Sequence, residues 1–188
     1  MKKYFVISFI IGIFIVLLLG TYFITLNNKN MGNLIITSND FQSNQYLGDL
    51  FSCLDGGGDL IPEINISNIP DNTKSLAIVI DDPDAPSGTW VHFLGWDIKT
   101  NGNKELKLFE NHIDSFTGMI KGTNSFKRLN RGGPCPPLGS GVHRYFFKIY
   151  ALNIESINLP EGSTKDKLLS IISQHTLSYG EIVGLFKR

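Results

Sequence analysis

Two proline-stiffened turns, Asp82-Pro83-Asp84-Ala85-Pro86 and Gly133-Pro134-Cys135-Pro136-Pro137, set the tightest limit on how this chain folds. Proline fixes its own φ, offers no backbone donor and restrains the residue before it, so neither stretch continues a helix or a central strand. Each turn leads into a run that mixes polar with large apolar side chains, Trp90-Val91-His92 after the first and His143-Arg144-Tyr145 after the second. A rigid turn beside such a strand builds a small fixed pocket for a charged group.

In an extended chain alternate side chains share a face. Over Thr89–Asp97 one face carries Trp90, His92, Leu94 and Trp96, and the other Val91, Phe93, Gly95 and Asp97, so His92 is expected to look the same way as both tryptophans. Over His143–Ala151, His143, Tyr145, Phe147, Ile149 and Ala151 share a face, with Arg144 and Lys148 opposite. With both histidines at one end of a sheet, Asp82, just past the apolar run Leu76–Ile80, orients one imidazole or accepts a donor from a ligand. The expected product is an anion site with one acid in it.

These residues carry a family resemblance. Asp82-Pro83-Asp84-Ala85-Pro86, Trp90-x-His92 and Pro136-Pro137-x-Gly139-x-Gly141-x-His143-Arg144-Tyr145, preceded by Gly133-Pro134-Cys135, resemble the prokaryotic branch of the phosphatidylethanolamine-binding proteins, also called Raf kinase inhibitor proteins. The likeness runs from about Phe41 to Arg188 and includes Cys53-x-Asp55-Gly56. Two motifs in order, about 50 residues apart, are far more specific than a lone glycine pattern. The resemblance implies a mainly β fold, one large antiparallel sheet with a smaller one and a few short helices. It also implies a shallow pocket for phosphate or phospholipid head groups, lined by Asp82, Pro86, Trp90, His92, Pro136, His143 and Tyr145. It implies a binding protein rather than an enzyme, with no cofactor and no metal, and with a kinase or protease as a possible regulated partner. The chain departs from the family pattern at Phe126-Lys127-Arg128-Leu129-Asn130-Arg131, whose Lys127, Arg128 and Arg131 are expected to add positive charge near the pocket mouth. If the histidines bind as cations, affinity rises as pH falls through their ordinary range near 6.5.

Other readings stay open beside this one. Asp82-Pro83-Asp84-Ala85-Pro86 alone is an ordinary turn after a buried strand, the Gly-Pro-Cys-Pro-Pro run alone is a stiff loop closing a sheet edge, and His92 alone is a satisfied core histidine. His112 and His175 have no motif around them. Gly56-Gly57-Gly58 and Gly139-Ser140-Gly141 lack the Gly-Lys-Ser/Thr ending of a P-loop. Cys135 with His143 as base is a hydrolase reading, weakened by the flanking prolines and the lack of an oxyanion-hole motif. His92, His143 and Asp82 together are a zinc reading. A third class is an inhibitor of a serine protease, or an envelope interaction protein, working through another surface. Pairing of Cys53 with Cys135 is also open, because sequence does not show whether their Cα atoms come within disulfide range.

At the N-terminus Lys2-Lys3 precedes an uncharged, mostly apolar run of 23 residues, Tyr4–Leu26. At about 1.5 Å per residue a helix of that length spans a bilayer, and lysines before it leave the following domain outside the cytoplasm. The expected organisation is a membrane anchor over residues 1–26, a linker over 27–33 and one domain over 34–188. A cleaved signal peptide, giving a secreted or periplasmic protein, is the rival, although Leu19-Gly20-Thr21-Tyr22 is a poor cleavage site. Seventeen basic residues balance seventeen acidic ones, which argues against a nucleic-acid surface. Strands are expected at Leu34–Thr37, Ser75–Ile80, Thr89–Ile98, Arg144–Leu152 and, after Gly180, Ile182–Phe186. One helix is expected, opened by a capping box at Ser163-Thr164-Lys165-Asp166, with Leu168, Leu169, Ile171 and Ile172 at helical spacing.

Overall fold

The computed structural model describes residues 33–54, 60–108 and 118–188. The expected anchor over residues 1–26, nearly all of the linker, His112 and Gly56-Gly57-Gly58 lie outside them. Among the described residues no helix is long and apolar enough to cross a membrane.

Strands dominate. In chain order they are β1 (Ile35–Thr37), β2 (Gln45–Tyr46), β3 (Ile64–Ser67), β4 (Ser75–Asp82), β5 (Trp90–Lys99), β6 (Leu106–Leu108), β7 (Ile120–Lys121), β8 (His143–Leu152) and β9 (Thr176–Phe186). A 3-10 turn covers Asp49–Phe51, and one α-helix, α1, covers Lys165–Ile172. The small sheet runs β1-β3-β6 and the large one β2-β9-β8-β4-β5-β7. Both are antiparallel as expected, except that the short edge strand β2 runs parallel to β9.

Three layers follow from which faces are apolar. β4 is buried along its whole length because both faces of the large sheet are covered. Leu76, Ile78 and Ile80 face the small sheet and pack with Ile64, Ile66, Leu108, Phe147 and Ile149. Ala77 and Val79 face the other way, under Leu168 and Ile172 of α1 and the loop residues Ile157 and Leu159. Each such aliphatic side chain contributes roughly 1.5–3 kcal/mol when fully buried. α1 begins one residue later than a Ser163 cap would place it. Thr164 is its N-cap and makes no side-chain capping bond, while Ser163 donates its hydroxyl to the Pro160 carbonyl at 2.7 Å.

The alternation expected over Thr89–Asp97 breaks in two places. The β4–β5 ladder pairs Ile80 with Phe93 but Asp81 with Val91, leaving His92 as an extra residue, and it slips again between Leu76 and Ile78. Such a bulge resets which side chains share a face. His92 therefore does not look the way of Trp96: its ring meets Tyr145 at 5.2 Å, whereas Val91, Leu94 and Trp96 pack beneath α1. At the second slip Asp97 takes φ 59°, and its carboxylate accepts the Ser156 hydroxyl at 2.7 Å and the Ile157 N–H at 2.9 Å. β8 has no shift at its pocket end, and His143, Tyr145, Phe147 and Ile149 share one buried face as expected.

Gly180 does not separate two elements. It lies inside the continuous strand β9, where the chain entering β1 crosses over it and the Leu34 N–H donates to the Tyr179 carbonyl at 3.2 Å. A glycine within a strand marks that kind of close backbone approach.

Candidate functional site

Antiparallel pairing puts the C-terminal end of β4 beside the N-terminal ends of β5 and β8, so Asp82, Trp90, His92, His143 and Tyr145 meet at one end of the large sheet. The turn after β4 and the proline loop before β8 close over them. The result is a cleft of about 320 Å³ lined by all seven expected residues, Asp82, Pro86, Trp90, His92, Pro136, His143 and Tyr145. Phe126, Cys135 and Pro137 also line it.

The polar groups form a chain of contacts. Asp82 is 3% exposed; its Oδ2 lies 2.7 Å from His143 Nδ1, and its Oδ1 accepts the Asp84 N–H at 2.8 Å. His143 Nε2 lies 2.9 Å from Ser140 Oγ, whose hydroxyl also lies 2.8 Å from the Pro137 carbonyl. Tyr145 is 1% exposed, and among the described residues its hydroxyl meets no acceptor at hydrogen-bonding geometry. Burial, with the nearby Asp82 carboxylate adding to it, pushes its phenol up. The hydroxyl therefore stays protonated, a donor with the Asp82 carboxylate beside it but no hydrogen bond of good geometry among the described residues.

His92 differs from the cationic ligand expected of it. Its Nδ1 donates to the Gly132 carbonyl at 2.6 Å, and its ring stands edge-on to Phe126 and Tyr145. Burial pulls the imidazole down to about 4, with Arg131 adding to the effect against the opposing Gly132 bond and the Asp82 and Asp81 charges. His92 is neutral across the physiological range and presents Nε2 as an acceptor.

That depression has a sign for stability. Between pH 6.5 and about 4 the unfolded chain binds a proton at His92 that the folded chain does not, so this residue's contribution to stability falls as pH falls through the window. From pH 6.5 to 5 the loss is on the order of 1–2 kcal/mol. Urea denaturation of the wild-type chain and of His92→Gln at both pH values should show a steeper acid-side decline in the wild type by that amount. Parallel declines would mean that His92 is not held neutral.

The basic run sorts unevenly. Arg131 is buried, and its guanidinium donates to the backbone carbonyls of Leu60 and Phe51, so its charge does not stand at the mouth. Lys127 lines a different cleft, beside Thr164 and Lys165. Arg128 lies against a pocket wall, its guanidinium 5.1 Å from the Phe126 ring centroid. Phe126 in turn packs edge-on against Trp90 and is set over Gly132, where a Cβ would come 2.3 Å from the ring.

Two further supports hold the walls, one absent from the sequence reading and one, the Cys53–Cys135 pairing, left open by it. Asp84 clamps the first turn to β8, its carboxylate accepting the N–H, Nε–H and Nη2–H of Arg144 at 2.8–2.9 Å; the guanidinium bonds hold that carboxyl below its usual range. Cys53 and Cys135 form a disulfide with Cα atoms 5.4 Å apart, and the Cys53 N–H donates to the Pro134 carbonyl at 3.0 Å. Cys135, having no free thiol, is not a nucleophile. Among the described residues no group of three His, Cys, Asp or Glu side chains is placed to hold a metal ion.

Comparison with known proteins agrees with this architecture. Residues 37–187 match the family model described as phosphatidylethanolamine-binding protein. The chain belongs to that family. A UPF0098 protein of Aquifex aeolicus is 35% identical over 173 residues, covering 91% of this chain and 99% of the relative. A UPF0098 protein of Pyrococcus horikoshii is 39% identical over 152 residues, covering 80% and 75%. Among solved structures, Escherichia coli YbcL, described as a member of the mammalian PEBP family, superposes with a TM-score of 0.73 at 27% identity, covering 84% of this chain and 99% of YbcL. Membership of the phosphatidylethanolamine-binding family rests on the whole β domain, and the pocket residues lie inside the matched span.

Proposed function

We propose that this phosphatidylethanolamine-binding family member recognises a phosphate-bearing head group, one that also carries an amine, in the cleft at the end of the large sheet. The observation that carries the reading is the Tyr145 hydroxyl, a buried donor that lines the cleft beside the Asp82 carboxylate and, among the described residues, makes no hydrogen bond of good geometry. An unmatched buried donor is costly, and a ligand oxygen relieves it. His143, fixed by Asp82 through Nδ1, lines the same cleft and is a second polar contact for the ligand. His92 Nε2 and the Asp82 carboxylate are acceptors, which suits an ammonium or a protonated phosphate better than a bare dianion. Pro86, Trp90, Phe126 and Pro136 are stiff or aromatic walls that need little ordering on binding.

Anchoring of the domain at a bilayer through residues 1–26 belongs to the same proposal, since it brings lipid head groups to the cleft, and regulation of a protease or kinase partner would act through it or through another surface. Calorimetric titration of the full chain with phosphorylethanolamine, inorganic phosphate and ethanolamine separates these contributions. The expected order is phosphorylethanolamine tightest, with affinity weakened at least about tenfold in Tyr145→Phe and in His143→Ala, about 1.4 kcal/mol or more. Equal affinity of wild type and both variants would remove the cleft from the function and turn attention to a protein partner.

A further inference from the structure

Ser140, His143 and Asp82 form one hydrogen-bonded line. Ser140 Oγ is 2.9 Å from His143 Nε2, and His143 Nδ1 is 2.7 Å from Asp82 Oδ2. The imidazole and the carboxylate are 3% and 4% exposed, while Ser140 is exposed at the surface end of the line. We propose that this hydroxyl–imidazole–carboxylate relay makes Ser140 an activated nucleophile and gives the protein a hydrolase activity toward small carboxylic esters. Head-group binding does not require this activity, and either reading stands if the other fails.

The argument is one of order and burial. A serine hydroxyl is a weak nucleophile until a base within about 3 Å takes its proton, and the base needs a buried acceptor on its other nitrogen to fix ring and tautomer. Both conditions hold here. The single hydroxyl proton has two acceptors, the Pro137 carbonyl at 2.8 Å and Nε2 at 2.9 Å. Turned toward Nε2, it completes the relay with Nδ1–H donating to Asp82. Ser140 sits between Gly139 and Gly141, at φ 77° and 92°, and at neither glycine would a Cβ meet any atom within 4 Å. The loop is thus open on both sides of Ser140 among the described residues. Ser140 N–H is taken by Pro137, so the amides of Gly141 and Val142 are the loop's remaining donors for an oxyanion. The neighbouring cleft, with Pro136 and Pro137 on the near wall, gives an apolar acyl group somewhere to lie.

In acylation Oγ bonds to the carbonyl carbon and its proton passes to His143 Nε2. The carbon–oxygen bond to the alcohol then breaks, and Nε2 returns the proton to the departing oxygen. In deacylation water gives one proton to Nε2 while its oxygen bonds to the acyl carbon; Oγ leaves and regains that proton, releasing the acid. His143 touches the reacting atoms, and Asp82 is a positioning residue.

The test uses the full-length chain and two probes. An alkyl fluorophosphonate should phosphonylate Ser140 with release of fluoride, read as a mass shift on the peptide containing that residue. p-Nitrophenyl butyrate should be hydrolysed faster than in buffer, with the rate falling at least about 100-fold in Ser140→Ala. Asp82→Asn should lower kcat by a similar factor while KM changes little, which a merely structural role would not produce. A chain with native far-ultraviolet circular dichroism that gives no Ser140 adduct, or whose turnover survives Ser140→Ala, overturns the proposal.

Discussion

A chain with serine at both Cys53 and Cys135 should unfold at a much lower denaturant concentration than the wild type, having lost about 4.5 kcal/mol. The disulfide closes a loop of 82 residues in sequence separation, and in the chain-entropy treatment a loop of that size restricts the unfolded ensemble by this amount. Native contacts add to this loss, because Cys135 is itself a wall of the cleft and the Cys53 N–H holds the Pro134 carbonyl beside it. Guanidinium denaturation of both proteins, with and without a dithiol, measures the effect. Wild type in reductant should fall toward the double variant, and the double variant should not respond. A difference under about 1 kcal/mol would show that the unfolded chain is already restrained without the bond.

Gly180→Ala should cost about 3 kcal/mol, a large effect for one methyl group. An added Cβ would come 2.5 Å from the Leu34 carbonyl oxygen and 2.8 Å from Leu34 Cβ and Ile36 Cγ1. The nearest obstacle is backbone, so no rotamer change relieves it, and the chain leading into β1 must lift from β9. That displacement breaks the Leu34 N–H bond to Tyr179 and opens the core between Leu34 and the large sheet. Equilibrium denaturation gives the loss, and hydrogen exchange should place the lost protection in β1 and β9. A stability within about 0.5 kcal/mol of wild type would mean that the crossing has slack.

The same residue shows where sequence reading stopped. Gly180 looked like punctuation between a helix and a strand, because the reason for a glycine there is a segment about 145 positions earlier. Asp82, His143 and Tyr145 were legible because they sit at fixed spacing in two stiff motifs, and β8 runs through its pocket end without a slip. His92 was legible as a pocket residue but not in its surroundings, since a bulge in the ladder leaves no mark in the alternation of one strand. The charge expected of it failed for a related reason: burial by Phe126 and Tyr145 and the Gly132 carbonyl come from elsewhere in the chain. Ser140 read only as part of a glycine-rich loop, although it lies three residues before a histidine already singled out. β2, β3, β6 and β7 are only two to four residues long, too short to show a period.

The cleft draws on Asp82, His92, Phe126 and His143, which are scattered over about 60 residues, and the Asp82–His143 bond alone joins positions 61 apart. No one short segment contains the whole of it. Loop closure must be met before such distant pairings are rewarded, so β4 and β8 join slowly, on the millisecond-to-second scale of nonlocal β topologies. In refolding kinetics, head-group binding would appear with the last native signal, making ligand capture a reporter of the completed chain rather than of any early collapsed form.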